Sequence, residues 1–177
     1  TEKPADTTTQ TTATTPKSKI QFTEITQSSG IDFKHESGAY GEFFMPEIMG
    51  SGAAFLDYDQ DNYQDILLVG GGVWEESDIE PVQSLRLYHN NGNGTFSETT
   101  EQLGLDKISA YGFGASVADY DNDGDNDFYV TTLKENLLLR NDGNQFTEVA
   151  RQAGVAGKAV WSTASIFVDI DQDGFLD

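Results

Sequence analysis

Cysteine is absent from the 177-residue chain, which excludes disulfides, a thiolate metal site and a cysteine nucleophile. Basic residues are scarce: 10 Lys and Arg stand against 30 Asp and Glu, for a formal net charge of −20 at pH 7. Nucleic-acid binding needs clustered Lys and Arg to neutralise phosphates, so a surface this acidic argues against it. The same charge disfavours docking on anionic membranes. Long apolar runs are missing too. The longest, 66–74, has nine residues and includes three glycines, whereas a membrane span needs about 20. Histidine occurs only at His35 and His89, and no G-x-S-x-G or phosphate-cradling glycine motif is present.

What is there suits one domain, or part of a larger one, with a real core: 37% of residues are hydrophobic and 11% aromatic. The charge opposes compaction unless something neutralises it. Residues 1–19 hold eight Thr and almost nothing apolar, so they read as a linker or stalk, either a loose tail or a glycosylated or partner-bound one. The chain opens on Thr1 rather than Met, which implies a removed leader or a trimmed chain.

From Phe22 onward the chain repeats itself. Phe22 to Gly30, Phe96 to Gly104 and Phe146 to Gly154 share the same spacing, and Phe96 to Phe146 is 50 residues, as is Asp119 to Asp169. The first unit is about 12 residues longer, most simply through an insertion at 70–81. Short alternating or apolar runs at 53–56, 65–69, 84–88, 116–118, 127–131, 136–139 and 165–168 predict β-strands. Asn91-Gly92-Asn93-Gly94 and Asn141-Asp142-Gly143-Asn144 predict hairpin turns. Phe96 and Phe146 then begin strands, and each Phe-to-Gly segment ends in a short helical turn. Units of about 50 residues built from four short strands make an all-β chain of propeller blades.

Of 18 Asp residues, 13 fall in three aligned clusters. The first contains Asp57, Asp59, Asp61, Tyr63 and Asp65. The second contains Asp119, Asp121, Asp123, Asp125 and Asp127, and the third Asp169, Asp171, Asp173, Phe175 and Asp177. The shared pattern is D-x-D-x-D-[GN]-x-x-D. Alternate carboxylates at positions 1, 3 and 5 converge as such a loop wraps an ion, and position 6 makes a sharp turn that Gly or Asn tolerates. The backbone carbonyl at position 7 (Tyr63, Asp125, Phe175) and the Asp at position 9 add further oxygens. Ca²⁺, with six to eight oxygen ligands, suits this cage better than Mg²⁺. Zn²⁺ would call for His or Cys, and no His lies within the loops. About three Ca²⁺, one per loop, are therefore expected. An EF-hand reading would need Glu at position 12 and flanking helices, whereas Leu68 and Val130 stand there, in strand-like sequence. Three metal-free acidic hairpins are the remaining alternative, and packed carboxylates without a cation repel strongly.

Tyr111-Gly112-Phe113-Gly114-Ala115-Ser116-Val117-Ala118-Asp119 resembles the naming motif of the FG-GAP or VCBS-type repeat of integrin α propellers, with degenerate copies at 49–57 and 161–169. The fuller pattern, with its Phe-to-Gly segments, is similar to secreted proteins of the ASPIC/UnbV (cartilage acidic protein-like) group. The resemblance covers roughly residues 21–177 and implies a β-propeller of about seven blades, with Ca²⁺ in a hairpin loop of several. Residues 20–177 supply only about three blades, so the chain is expected to be the N-terminal part of a longer propeller, or to have its open edges covered by other chains.

The resemblance further implies an extracellular or cell-surface protein, secreted or lipid-anchored upstream of residue 1. The function expected is a non-enzymatic, calcium-rigidified scaffold for adhesion or extracellular assembly. Its partner would be an extracellular protein, a glycan or copies of itself, with no nucleic acid and no membrane span. The alternative is the N-terminal part of a propeller lyase or hydrolase acting on carbohydrate, with active residues elsewhere or with Glu75, Glu76 and Glu80 as acids. His89 reads as a polar residue beside a turn. Trp74, in the insertion, is the candidate partner contact, and Tyr40, Phe43, Phe44, Trp161 and Phe167 are expected between blades.

Overall fold

A computed structural model describes residues 20–39, 41–72, 83–143 and 145–177. The Thr-rich stalk, Tyr40, and Trp74, Glu75, Glu76 and Glu80 of the insertion lie outside the described residues.

Two four-stranded antiparallel meanders carry the fold. The first comprises β1 (Ala53–Leu56), β2 (Asp65–Val69), β3 (Leu85–Asn90) and β4 (Phe96–Glu98). The second comprises β5 (Gly112–Ala118), β6 (Asp127–Thr132), β7 (Leu137–Asn141) and β8 (Phe146–Glu148). Both are up-and-down sheets, with each strand bonded to its sequence neighbour. The hairpin register is the same in both: Leu56 pairs with Asp65 across the first acidic loop, and Ala118 with Asp127 across the second. Asn91, Gly92 and Gly94 turn the first sheet from β3 into β4, with both glycines at positive φ (69° and 87°), a conformation that carries little cost without a Cβ.

Apolar side chains from the two sheets meet in one core. Leu56, Leu67, Val69, Leu85 and Leu87 of the first sheet pack with Phe128, Val130, Leu139 and Phe146 of the second. Leu103 and Leu105, from the connection between the sheets, join this core. A smaller cluster of Leu138, Val149, Ala150 and Ala156 fills the second sheet's far side, with Tyr129 and Phe167 against it. The first strands of successive units approach closely. A Cβ on Gly52 would sit 2.7 Å from Gly114 Cα, and one on Gly114 would sit 3.1 Å from Thr163 O.

Each Phe-to-Gly segment ends in a tight turn closed by a left-handed Gly. These turns are α1 (Thr26–Ser29) with Gly30, a turn at Gly104, and α2 (Ala150–Ala153) with Gly154, at φ 84°, 78° and 79°. Two expectations fail. Residues 165–168 form no strand, because among the described residues their only ladder-like bonds are the reciprocal Val168–Asp177 pair. Phe43 is 89% exposed, so it does not pack between sheets. Trp161 and Phe167 pack against the second sheet, Trp161 tilted on Phe113 (5.3 Å between centroids) and Phe167 edge-on to Tyr129 (6.4 Å). Among the described residues no helix is long and apolar enough to cross a membrane.

Candidate metal centres

The three acidic loops share one backbone plan. Position 4 is left-handed in all three, at Gln60, Asn122 and Gln172 (φ 60°, 59° and 64°). Position 6 is left-handed too, at Asn62, Gly124 and Gly174 (φ 72°, 97° and 90°). The carboxylate at position 1 holds this shape by accepting the N–H groups of positions 5 and 6. Asp57 accepts from Asp61 and Asn62 at 3.0 Å each, Asp119 from Asp123 and Gly124 at 3.1 and 3.0 Å, and Asp169 from Asp173 and Gly174 at 3.1 and 3.0 Å. The carboxylate at position 5 accepts from position 7 in each loop: Tyr63 to Asp61, Asp125 to Asp123 and Phe175 to Asp173.

Position 9 begins the second strand of each unit, where a tertiary contact can reach it. Asp65 accepts from the Tyr58 N–H at 3.1 Å and, across the sheet, from the Asn90 N–H at 2.8 Å. Asp127 repeats this with Tyr120 at 2.9 Å and Asn141 at 2.8 Å. Asp177 accepts from Ile170 at 2.9 Å and lies exposed. Asp65 and Asp127 are both fully buried. Burial is the main cause that pushes Asp127 up to about 6, against an ordinary value of 3.8, and neighbouring Asp121 and Asp123 push the same way. Burial likewise raises Asp65, helped by Asp59 and partly opposed by His89. Asp121 is raised by burial and by Asp123, with Arg140 opposing.

The loops stand side by side, the position-4 amides of the first two each reaching the next loop. Gln60 Nε2 donates to Gly124 O at 3.0 Å and also to the Asp125 carboxylate, and Asn122 Nδ2 donates to Gly174 O at 3.2 Å. Asn126 Nδ2 returns a bond to Asp57 O at 3.0 Å.

Within this frame, oxygens of Asp119, Asp121 and Asp127 lie within 4.8 Å of one another, as do those of Asp169, Asp171 and Asp177. In the first loop two sets converge, one of Asp57, Asp59 and Asp61 and one of Asp59, Asp65 and His89. Asp123 and Asp173 stand outside their loops' triads, and the Asp125 carboxylate is turned toward Gln60. The side chains of Tyr63 and Phe175 are exposed. Each triad can hold a metal ion. The donors fit the task, because Asp127 is a buried carboxylate that meets backbone N–H groups and further carboxylates, a set whose repulsion a divalent cation relieves.

The sequence reading missed one residue. His89 lies near the end of β3, beside the turn as expected, but its ring stands over the first loop. Its Nδ1 is 3.2 Å from Asp59 Oδ2 and 3.4 Å from Asp65 Oδ1. The signal was available in the register: His89 precedes Asn90, whose N–H binds Asp65, and Arg140 holds the matching place before Asn141 in the second sheet.

No curated protein matches the chain. A family model described as an FG-GAP-like repeat matches residues 57–130 and again 119–177.

Proposed function

Since the chain belongs to the family of FG-GAP-like repeats, we propose that it is a calcium-dependent β-propeller scaffold, secreted or surface-attached, that serves adhesion or extracellular assembly rather than catalysis. The observation that carries this reading is the same left-handed, carboxylate-lined loop built three times over, with Asp65 and Asp127 buried in the first two copies. Repetition at matched places in successive units suits a structural ion better than a single catalytic one. The second and third loops offer oxygens alone, the donor type Ca²⁺ prefers. Three ions would bring the formal charge from −20 to −14, easing the self-repulsion of the folded chain. The partner would be an extracellular protein, a glycan or further copies of the chain. Kinship with the secreted ASPIC/UnbV group belongs to the same reading, on the strength of the Phe-to-Gly segments.

Sites in extracellular modules bind Ca²⁺ at about 10⁻⁴ to 10⁻³ M. At millimolar Ca²⁺ and a Kd near 0.1 mM, each site adds about 1.4 kcal/mol and three add about 4 kcal/mol. A thermal melt in 2 mM CaCl₂ should therefore exceed that in EDTA by roughly 8–16 °C, with about three Ca²⁺ per chain by elemental analysis. Equal melting in both buffers, with no bound metal, would sink the reading.

A further inference from the structure

The sequence holds two Asn-Gly steps, Asn91-Gly92 and Asn93-Gly94, both in the exposed turn between β3 and β4. Such a step can cyclise, because Gly lacks a Cβ and leaves its own N–H uncrowded beside the amide carbon of the preceding Asn. The two steps are chemically alike, yet the fold treats them differently. The Asn91 amide is held at both ends: its Nδ2 donates to Thr95 Oγ1 at 2.9 Å, and its Oδ1 accepts from Ser97 Oγ at 3.1 Å. The nitrogen that would attack it is engaged as well, since the Gly92 N–H donates to Asn90 Oδ1 at 3.0 Å. The Tyr63 ring covers Gly92, standing 2.8 Å from where a Cβ would be.

Asn93 has the opposite arrangement. Its Oδ1 accepts twice from Thr95, from the N–H at 3.0 Å and from the hydroxyl at 2.7 Å. Two donors on one amide oxygen polarise the attached carbon and stabilise the negative charge that collects on that oxygen when a nucleophile adds. Leaving group and nucleophile are both unengaged: among the described residues Asn93 Nδ2 and the Gly94 N–H have no hydrogen-bond partner. Beyond its chain neighbours, no atom comes within 4 Å of a Cβ placed on Gly94.

We propose that Asn93 is a self-processing site, where the folded chain deamidates selectively while Asn91 is spared. Gly94 N gives its proton to solvent base and bonds to Asn93 Cγ. The Cγ–Nδ2 bond breaks, and Nδ2 takes up a proton from water and leaves as ammonia. The product is a five-membered succinimide. One water then opens the ring, leaving an aspartate if the Cγ–N bond breaks, or an isoaspartate if the main-chain carbonyl–N bond breaks. The sum is amide plus water to carboxylate plus ammonium, with no oxidant or reductant. One negative charge is added to the formal −20, on the turn that packs against Tyr63 of the first acidic loop. Nothing in this step requires Ca²⁺ in the loops.

The test is to age the full 177-residue chain in mildly alkaline H₂¹⁸O, folded and in denaturing urea, and to map ¹⁸O uptake by peptide fragmentation. In the folded chain Asn93 should react at least about tenfold faster than Asn91, whereas in urea the two should react at similar rates. This comparison needs no variant to fold. T95V, which removes the hydroxyl from Asn93 Oδ1 and releases Asn91 Nδ2, should narrow the folded ratio toward the urea one. Equal rates in the folded chain, an inert Asn93, the same bias in urea, or an unchanged ratio in T95V would each overturn the proposal.

Discussion

The second and third acidic loops follow one backbone plan in two different settings. In both, the first Asp ties down the N–H groups of positions 5 and 6, and positions 4 and 6 are left-handed. The second loop sits at the end of a four-stranded sheet, whose third strand supplies the Asn141 N–H to Asp127. The third loop has one extended segment behind it, and Asp177 is exposed. Loop shape is therefore a local property, written in about nine residues by short-range carboxylate-to-N–H bonds. Burial of the last carboxylate is tertiary, and so is the electrostatic burden that follows from it.

That burden offers the strongest way to break the comparison. The Asp127 carboxyl titrates at about 6 when folded, against 3.8 ordinarily. Between those values the folded chain holds a proton that the unfolded chain has released, so metal-free stability should fall as pH rises from about 4 to about 6, then level off. The loss attributable to Asp127 is about 3 kcal/mol. Saturating Ca²⁺ should flatten the slope, because the ion holds the charged form. Urea melts in EDTA and in CaCl₂ across this range would show it, and metal-free stability that climbed with pH would contradict it.

A smaller effect is expected from removing one ligand in each setting. Asp121→Ala should cost about 1.4 kcal/mol in millimolar Ca²⁺ and little or nothing in EDTA, because its carboxyl is held up by burial and by Asp123 in the metal-free chain. Asp171→Ala should lose one bound ion with a lesser shift in global melting, since fewer packed residues depend on that loop. An equal loss for Asp121→Ala in both buffers would mean that the side chain acts through packing. A change of comparable size concerns position 6. Gly124→Ala should cost about 1–2 kcal/mol, because φ is 97° there. Gly124→Asn should cost clearly less, since Asn62 occupies the same place in the first loop at φ 72°. If the two variants melt together, the left-handed turn is not what selects the residue.

Much of this was legible beforehand because it is periodic. The runs at 53–56 and 65–69 match β1 and β2 residue for residue, since short apolar runs bounded by Gly, Asn and Asp leave little freedom. The strand expected at 165–168 did not form, because a strand exists only with a partner and Val168 has a single bonded one. Phe43 misled for a related reason: hydrophobicity shows what can be buried, not whether a neighbour is there to cover it. That His89 stands over the first loop was unreadable without the register of β3 against β2.

The amino-acid order alone determined the repeat, the three loops and their left-handed turns, because each depends on contacts within a few residues. The tertiary structure decided which carboxylates are buried, which loop gained an imidazole, and how Gly52 and Gly114 let neighbouring strands approach. Those outcomes depend on residues far apart in sequence, and only packing one sheet on the next sets their distances.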